Sequence, residues 1–151
     1  MTTVVFACVH NAGRSQMAAA FFNDLADPAR ARAVSAGTAP AERVHPEVVA
    51  AMREVDIDLS GARPQRLTRE LAASAPLLVT MGCGEACPLV PGLRRDDWPV
   101  DDPKGRALGD VRRIRDEIRQ RVAALVAVGG WERASVRPKG IARRPARRRQ
   151  P

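Results

Sequence analysis

The sequence predicts an α/β domain of three layers, a central and about four-stranded parallel sheet flanked by helices. Short apolar runs such as Val4-Val5-Phe6-Ala7 and Leu77-Leu78-Val79-Thr80-Met81 alternate with segments of helical period, as βαβ units do. Those runs are apolar almost without interruption, the pattern of strands buried on both faces. The first of them leads straight into Cys8-Val9-His10-Asn11-Ala12-Gly13-Arg14-Ser15, which reads as a loop opening into a helix. Open parallel sheets place ligands at such strand ends.

Thr3–Cys8 is the first expected strand. Ser15 to about Ala26 is a helix with Met17, Phe21 and Leu25 at helical spacing, stopped by Asp27-Pro28. Arg32–Ser35 reads as a short second strand ahead of Gly37. Pro46 to about Val55 is a second helix, since proline suits a first turn and Val48, Met52 and Val55 share a face. Leu67–Ala73 suggests a third, short helix. Leu77–Met81 is the next buried strand, Gly82–Gly92 a loop rich in Gly, Cys and Pro, and Arg95–Asp97 a weak fourth strand. Gly109-Asp110 caps the strongest helix, along which Val111, Ile114, Ile118, Val122 and Leu125 step by three or four. The periodicity stops after Gly129-Gly130-Trp131. Residues 1–132 are thus expected to form one catalytic domain and residues 133–151 a basic, disordered tail.

A chain of 151 residues suits a single domain with its own core. No apolar run approaches the roughly 18 residues of a membrane span. Met1-Thr2-Thr3 lacks the basic start of a signal peptide, so a cytoplasmic location is expected. Three cysteines are an odd number, unsuited to a closed disulfide framework and better read as reactive thiols or ligands. The net charge of +8 comes from the end of the chain. From Arg133 onward there are eight basic residues and no acid, while residues 1–132 hold 17 of each sign. Charge alone would suggest a nucleic-acid partner. The neutral body, and a tail without interleaved aromatics, argue against more than nonspecific contacts.

The loop from Cys8 to Ser15 carries most of the chemistry. Backbone N–H groups of Val9, His10, Asn11, Ala12 and Gly13, with the positive end of the following helix, make a cradle for a tetrahedral oxyanion. Arg14 can grip two oxygens through its planar fork, and the same field favours the thiolate form of Cys8. Ser15 is placed to donate its hydroxyl to the Cys8 sulfur, or to serve as a first-turn residue. Asn11 and Gly13 are expected to serve loop geometry because both tolerate positive φ. His10 is expected to shape the pocket wall. Asp102, on the Pro-stiffened stretch Trp98-Pro99-Val100-Asp101-Asp102-Pro103, is either a proton donor to a leaving oxygen or part of a surface turn. Cys83 and Cys87 follow a strand parallel to the first, so their loop can approach Cys8, and three intervening residues allow a disulfide between them. A zinc site built from Cys8, Cys83, Cys87 and His10 is conceivable from ligand types, but it would occupy the anion loop and leave Arg14 without a task.

Cys8-x5-Arg14-Ser15, Ser35-Ala36-Gly37-Thr38 and Asp102-Pro103 together resemble the low-molecular-weight tyrosine phosphatases and the arsenate reductases built on the same fold, from about Thr3 to Val128. Ser15-Gln16-Met17-Ala18, Val55-Asp56-Ile57-Asp58 and the cysteine loop Met81–Pro88 resemble the reductase branch. The resemblance implies a relay. Cys8 attacks arsenate, Asp102 helps protonate the departing oxygen, Cys83 attacks Cys8 to release arsenite, and Cys87 attacks Cys83, leaving a disulfide that thioredoxin reduces. Reducing As(V) to As(III) takes two electrons, which one dithiol supplies on becoming a disulfide. A phosphatase needs one thiolate and water, and would leave two cysteines idle. The family's phosphatases usually follow their late Asp-Pro with Tyr; Lys104 stands there here.

Two departures from the pattern stand out. Cys83 and Cys87 are closer together than in the best-known thioredoxin-linked reductases, so either the relay uses a tighter loop or a low-molecular-weight thiol resolves the intermediate. Some relatives carry a potassium site that uses an acid where Ala19 stands, so no required potassium is expected here. The expected set of metals and cofactors is otherwise empty as well. The rival readings are a phosphatase for phosphotyrosine or a small phosphate ester, and a soft-metal-binding module, against which the oxyanion clamp Arg14 argues.

Overall fold

The structure, a computed structural model, describes residues 1–82 and 92–134. Cys83, Cys87 and everything from residue 135 onward lie outside the described residues. Four strands, β1 (Thr2–Cys8), β2 (Ala31–Gly37), β3 (Leu77–Thr80) and β4 (Arg94–Asp97), form one parallel sheet in the order β2-β1-β3-β4. The helices are α1 (Arg14–Leu25), α2 (Pro46–Arg53), the five-residue α3 (Arg69–Ala73) and α4 (Leu108–Gly129). From β1 the chain first adds β2 on one side, then reverses to add β3 on the other. The crevice at that reversal lies beyond the carboxyl end of β1, where Cys8 stands.

Residues of β1 divide between the two faces by the period of two. Val4, Phe6 and Cys8 join a large core with Met17, Phe21, Phe22, Val48, Met52, Ile114, Ile118 and Val122 from α1, α2 and α4. Val5 and Ala7 join a smaller core with Leu67, Ala72, Ala75 and Leu78, on the side that α3 covers. The three layers are therefore unequal, and Cys8 points to the heavier one.

Most element ends follow local chemistry. Helix α2 stops at Arg53, two residues before its expected end, because Asp56 takes the left-handed conformation (φ 65°) that usually calls for glycine. Ile57 N–H then donates to Met52 O and Asp56 N–H to Arg53 O, the paired bonds of a Schellman ending. Helix α4 begins at Leu108, with Ala107 at the cap position and no side-chain cap, so Gly109-Asp110 is not its cap. Asp110 lies instead in the first turn, where its charge faces the positive end of the dipole. Gly130 (φ 71°) caps the end of helix α4, and Trp131 folds back onto Phe22, ring centroids 5.7 Å apart. Arg133, which the sequence assigns to the tail, donates to the carbonyls of Asn23 and Asp24 in the last turn of α1. Among the described residues no helix is long and apolar enough to cross a membrane.

Candidate active site

The anion loop between β1 and α1 is shaped from outside. N–H groups of Thr38, Ala39, Ala41 and His45 donate to the carbonyls of Cys8, Val9, His10 and Ala12 at 3.2, 2.8, 2.9 and 2.9 Å. Gln16 Nε2 donates to the one remaining carbonyl of that run, Asn11 O, at 3.1 Å. Every carbonyl from Cys8 to Ala12 thus faces away from the loop centre. Peptide planarity turns the N–H groups sharing those peptides the opposite way, toward an incoming oxyanion. Helix α1 has no side-chain cap and no acid in its first turn, which leaves its positive end available to an anion.

At the floor, Cys8 is 2% exposed and its Sγ lies 2.9 Å from Ser15 Oγ. Asn11 Nδ2 donates to that same Oγ at 2.7 Å, which leaves the hydroxyl proton of Ser15 free to point at the sulfur. Asn11 is fully buried and has φ 52°, the left-handed conformation the sequence suggests. Gly13 does not share it: its φ is −144°. A close contact also favours glycine there, since a Cβ on Gly13 would lie 2.9 Å from Pro103 Cγ. His10 turns away from the loop interior, its Nδ1 3.1 Å from Ala39 O, as suits a wall residue.

Arg14 is almost fully buried at the mouth. Its Nη1 donates to Val100 O at 3.3 Å, and its Nη2 lies 3.7 Å from Asp102 Oδ2. Gly82, at φ 99°, lies so close to the guanidinium that a side chain there would strike it. Asp102 is half-exposed and accepts from Lys104 N–H, while neighbouring Asp101 turns away to Arg113 of α4. The segment bearing Asp102 is tied at two more points. Pro103 rests on Gly13, and Gly105 N–H donates to Glu47 Oε2 at 2.8 Å. Burial works against the charge of Glu47, but hydrogen bonds from its own N–H and that of Gly105 prevail and hold its carboxyl below the usual range. His45, at the start of α2, is held below its usual range by burial, against the pull of Glu47 and Asp102.

The structure thus brings Cys8, Asn11, Gly13, Arg14, Ser15 and Asp102 to one crevice, ringed by Val9, His10 and Ala12. Sequence reasoning missed the outer brace, residues 38–45, and gave no task to Gln16, Gln65, His45 or Glu47. Ser35-Ala36-Gly37-Thr38 was the one signal for part of it. Gly37 lets the loop come close: a Cβ there would meet Val9 O at 2.6 Å.

The family described as low molecular weight phosphotyrosine protein phosphatase matches residues 3–137. A Halobacterium salinarum protein is 40% identical over 126 residues, 80% of this chain and 87% of its own. "Arsenate reductase 1" of Bacillus cereus is 37% identical over 132 residues, 84% of this chain and 96% of that one. The solved structure of the Corynebacterium glutamicum thioredoxin-dependent arsenate reductase Cg_ArsC1' superposes with a TM-score of 0.73 at 35% identity. That match covers 85% of this chain and 61% of the other. The Archaeoglobus fulgidus arsenate reductase structure gives a TM-score of 0.72 at 33% identity, covering 82% of this chain and 98% of that one. A match that spans nearly every described residue, the braced loop included, makes the chain a member of the low molecular weight phosphotyrosine protein phosphatase family, with arsenate reductases among its relatives.

Proposed function

We propose that this protein reduces arsenate to arsenite. The observation that carries the reading is the anion loop itself. A buried cysteine sits at its floor within reach of a serine hydroxyl, and an Arg14–Asp102 pair at its mouth, in a chain whose relatives are named arsenate reductases. Arsenate enters the cradle of loop N–H groups, and Arg14 grips two of its oxygens. Cys8 thiolate attacks arsenic, forming a sulfur–arsenic bond, while Asp102 protonates the departing oxygen, which leaves as water. Cys83 then attacks the Cys8 sulfur. The sulfur–arsenic bond breaks with its electron pair on arsenic, which departs as arsenite, and a Cys8–Cys83 disulfide remains. Attack by Cys87 on Cys83 frees Cys8 and leaves a Cys83–Cys87 disulfide, which accounts for both electrons.

Thioredoxin is the proposed reductant of that disulfide, and a reducing cytosol the proposed setting, since all three thiols must start free. The chain from residue 135 onward is proposed to be dispensable for this chemistry. The decisive experiment is arsenate-dependent NADPH oxidation in the presence of thioredoxin and its reductase, beside hydrolysis of p-nitrophenyl phosphate. Rapid reduction with weak hydrolysis is expected. Hydrolysis without any arsenate turnover would turn the reading to a phosphatase, whose substrate the same cradle would hold.

A further inference from the structure

The hydrogen bond that Ser15 offers Cys8 depends on which end of a buried amide faces the serine. Were Asn11 to present Oδ1, the single hydroxyl proton of Ser15 would be drawn to that oxygen and away from the sulfur. Two donors prevent this. Gln65 backbone N–H, which can only donate, reaches Asn11 Oδ1 at 2.9 Å, and Gln16 Nε2 lies 3.2 Å from the same oxygen. Gln16 is only 6% exposed, and its own orientation is settled by its surroundings. Its amide nitrogen faces three acceptors, Asn11 Oδ1, Asn11 O at 3.1 Å and Arg63 O at 3.3 Å, so a flipped amide would set oxygen against oxygen three times over. One side chain therefore joins the anion loop, front and back, to the segment that carries the Gln65 N–H.

We propose that Gln16 is a positioning residue for the nucleophile, locking a one-way chain of donors from Gln16 through Asn11 and Ser15 to Cys8. It acts at second hand, touching neither sulfur nor substrate. The proposal rests on Cys8 being the nucleophile of the reading above, and is independent of which oxyanion Cys8 attacks. Without Gln16 the Gln65 N–H alone holds Asn11 Oδ1, so the amide turns over more often, Ser15 then donates to it, and the sulfur loses part of a donor that favours its charged form.

The test is the pH dependence of Cys8 alkylation by iodoacetamide, in the full chain carrying Cys83→Ser and Cys87→Ser so that one thiol remains. Gln16→Met keeps the length and apolar body of the side chain but donates nothing, and Gln16→Leu is the second variant. Each should raise the pH of half-maximal alkylation by roughly half a unit to one unit, the scale of one weakened hydrogen bond to a charged group. Combined with Ser15→Ala, neither should move the midpoint beyond where Ser15→Ala alone puts it. In the chain with Gln16 intact, the side-chain amide resonances of Asn11 should shift along the same titration curve as Cys8. A folded Gln16→Met protein with an unmoved midpoint, an undiminished shift in the Ser15→Ala background, or Asn11 resonances silent through the titration would each overturn the proposal. Failure of arsenate turnover with the midpoint shift intact would instead count against the reductase reading alone.

Discussion

Pro103 rests directly on Gly13, so close that a single added carbon at Gly13 would lie 2.9 Å from the proline ring. The contact joins the segment bearing Asp102 to the loop bearing Cys8 and sets how far the one carboxyl stands from the other's cradle. Gly13→Ala should therefore push Pro103 outward and carry Asp102 with it. A displacement of about an ångström costs on the order of 10²-fold in rate when it misplaces a reacting group. The expected result is that loss in kcat with little change in Tm, measured by steady-state kinetics beside thermal unfolding.

Asp102 and Asp101 are chain neighbours with opposite destinations. Asp102 Oδ2 faces Arg14 across the crevice, and Asp101 Oδ2 faces Arg113 on the surface of α4. Asp102→Asn should lower the single-turnover rate by roughly 10²–10⁴-fold, the usual scale for a lost general acid. Asp101→Asn removes an exposed pair worth little and should change it less than about threefold. A reversed ranking would move the acid by one residue.

The order of the thiols can be read from where each variant stops. Cys8→Ser should abolish all activity. Cys83→Ser should permit the first attack but release no arsenite. Cys87→Ser should release one arsenite per chain and stall with Cys8 joined to Cys83. Peptide mapping of thiol-blocked protein after one arsenate turnover identifies the bond. Sustained turnover of Cys87→Ser with thioredoxin would remove Cys87 from the relay.

Glu54 ties α2 to α4 by accepting from Arg112 at 2.6 Å and from Arg115 at 2.9 Å, and Arg115 also donates to Ala51 O. Hydrogen bonds from Arg112, with those of Arg115, hold its carboxyl down to about 2, against an ordinary value of 4.5. A carboxyl lowered on folding stabilises the fold fully above the unfolded value, and that contribution is lost as pH falls toward the folded value. Urea midpoints of the parent and Glu54→Gln should therefore differ most at neutral pH and converge between about pH 4.5 and 2. A gap that stays constant down to pH 2 would show that the charge is not the cause.

The boundary of the folded body can be located by truncation. Asp27 N–H donates to Trp131 O at 2.7 Å, Trp131 lies on Phe22, and Arg133 donates to the end of α1. Ending the chain after Ala134 should leave Tm and turnover unchanged. Ending it after Gly130 removes those ties and should lower Tm by roughly 5–10 °C, the effect of a few kcal/mol in a domain of this size. Equal Tm values for the two truncations would show that the strap contributes nothing.

Features confined to one stretch of chain are legible in its residues: β1 as a strand buried on both faces, the loop after it, and the grouping of Cys8, Arg14 and Ser15 on a single strand–loop–helix. These are written in local signals, apolar runs and residues that suit a turn, because backbone preference and burial act over neighbouring positions. The sheet's β2-β1-β3-β4 order, which sets the crevice at β1, fits the same alternation of strands and helices. How the loop is held depends on contacts between distant segments. Four of the five donors that turn its carbonyls outward come from residues 38–45, the N–H that orients Asn11 comes from Gln65, and Arg14 reaches Val100 O across 86 positions. The tertiary structure also brought Gly13 into close contact with Pro103, at a negative φ where the sequence suggested a positive one. Such pairings follow from the register between strands and from the way segments close over them. No period or propensity inside a single segment records which distant N–H will meet which carbonyl.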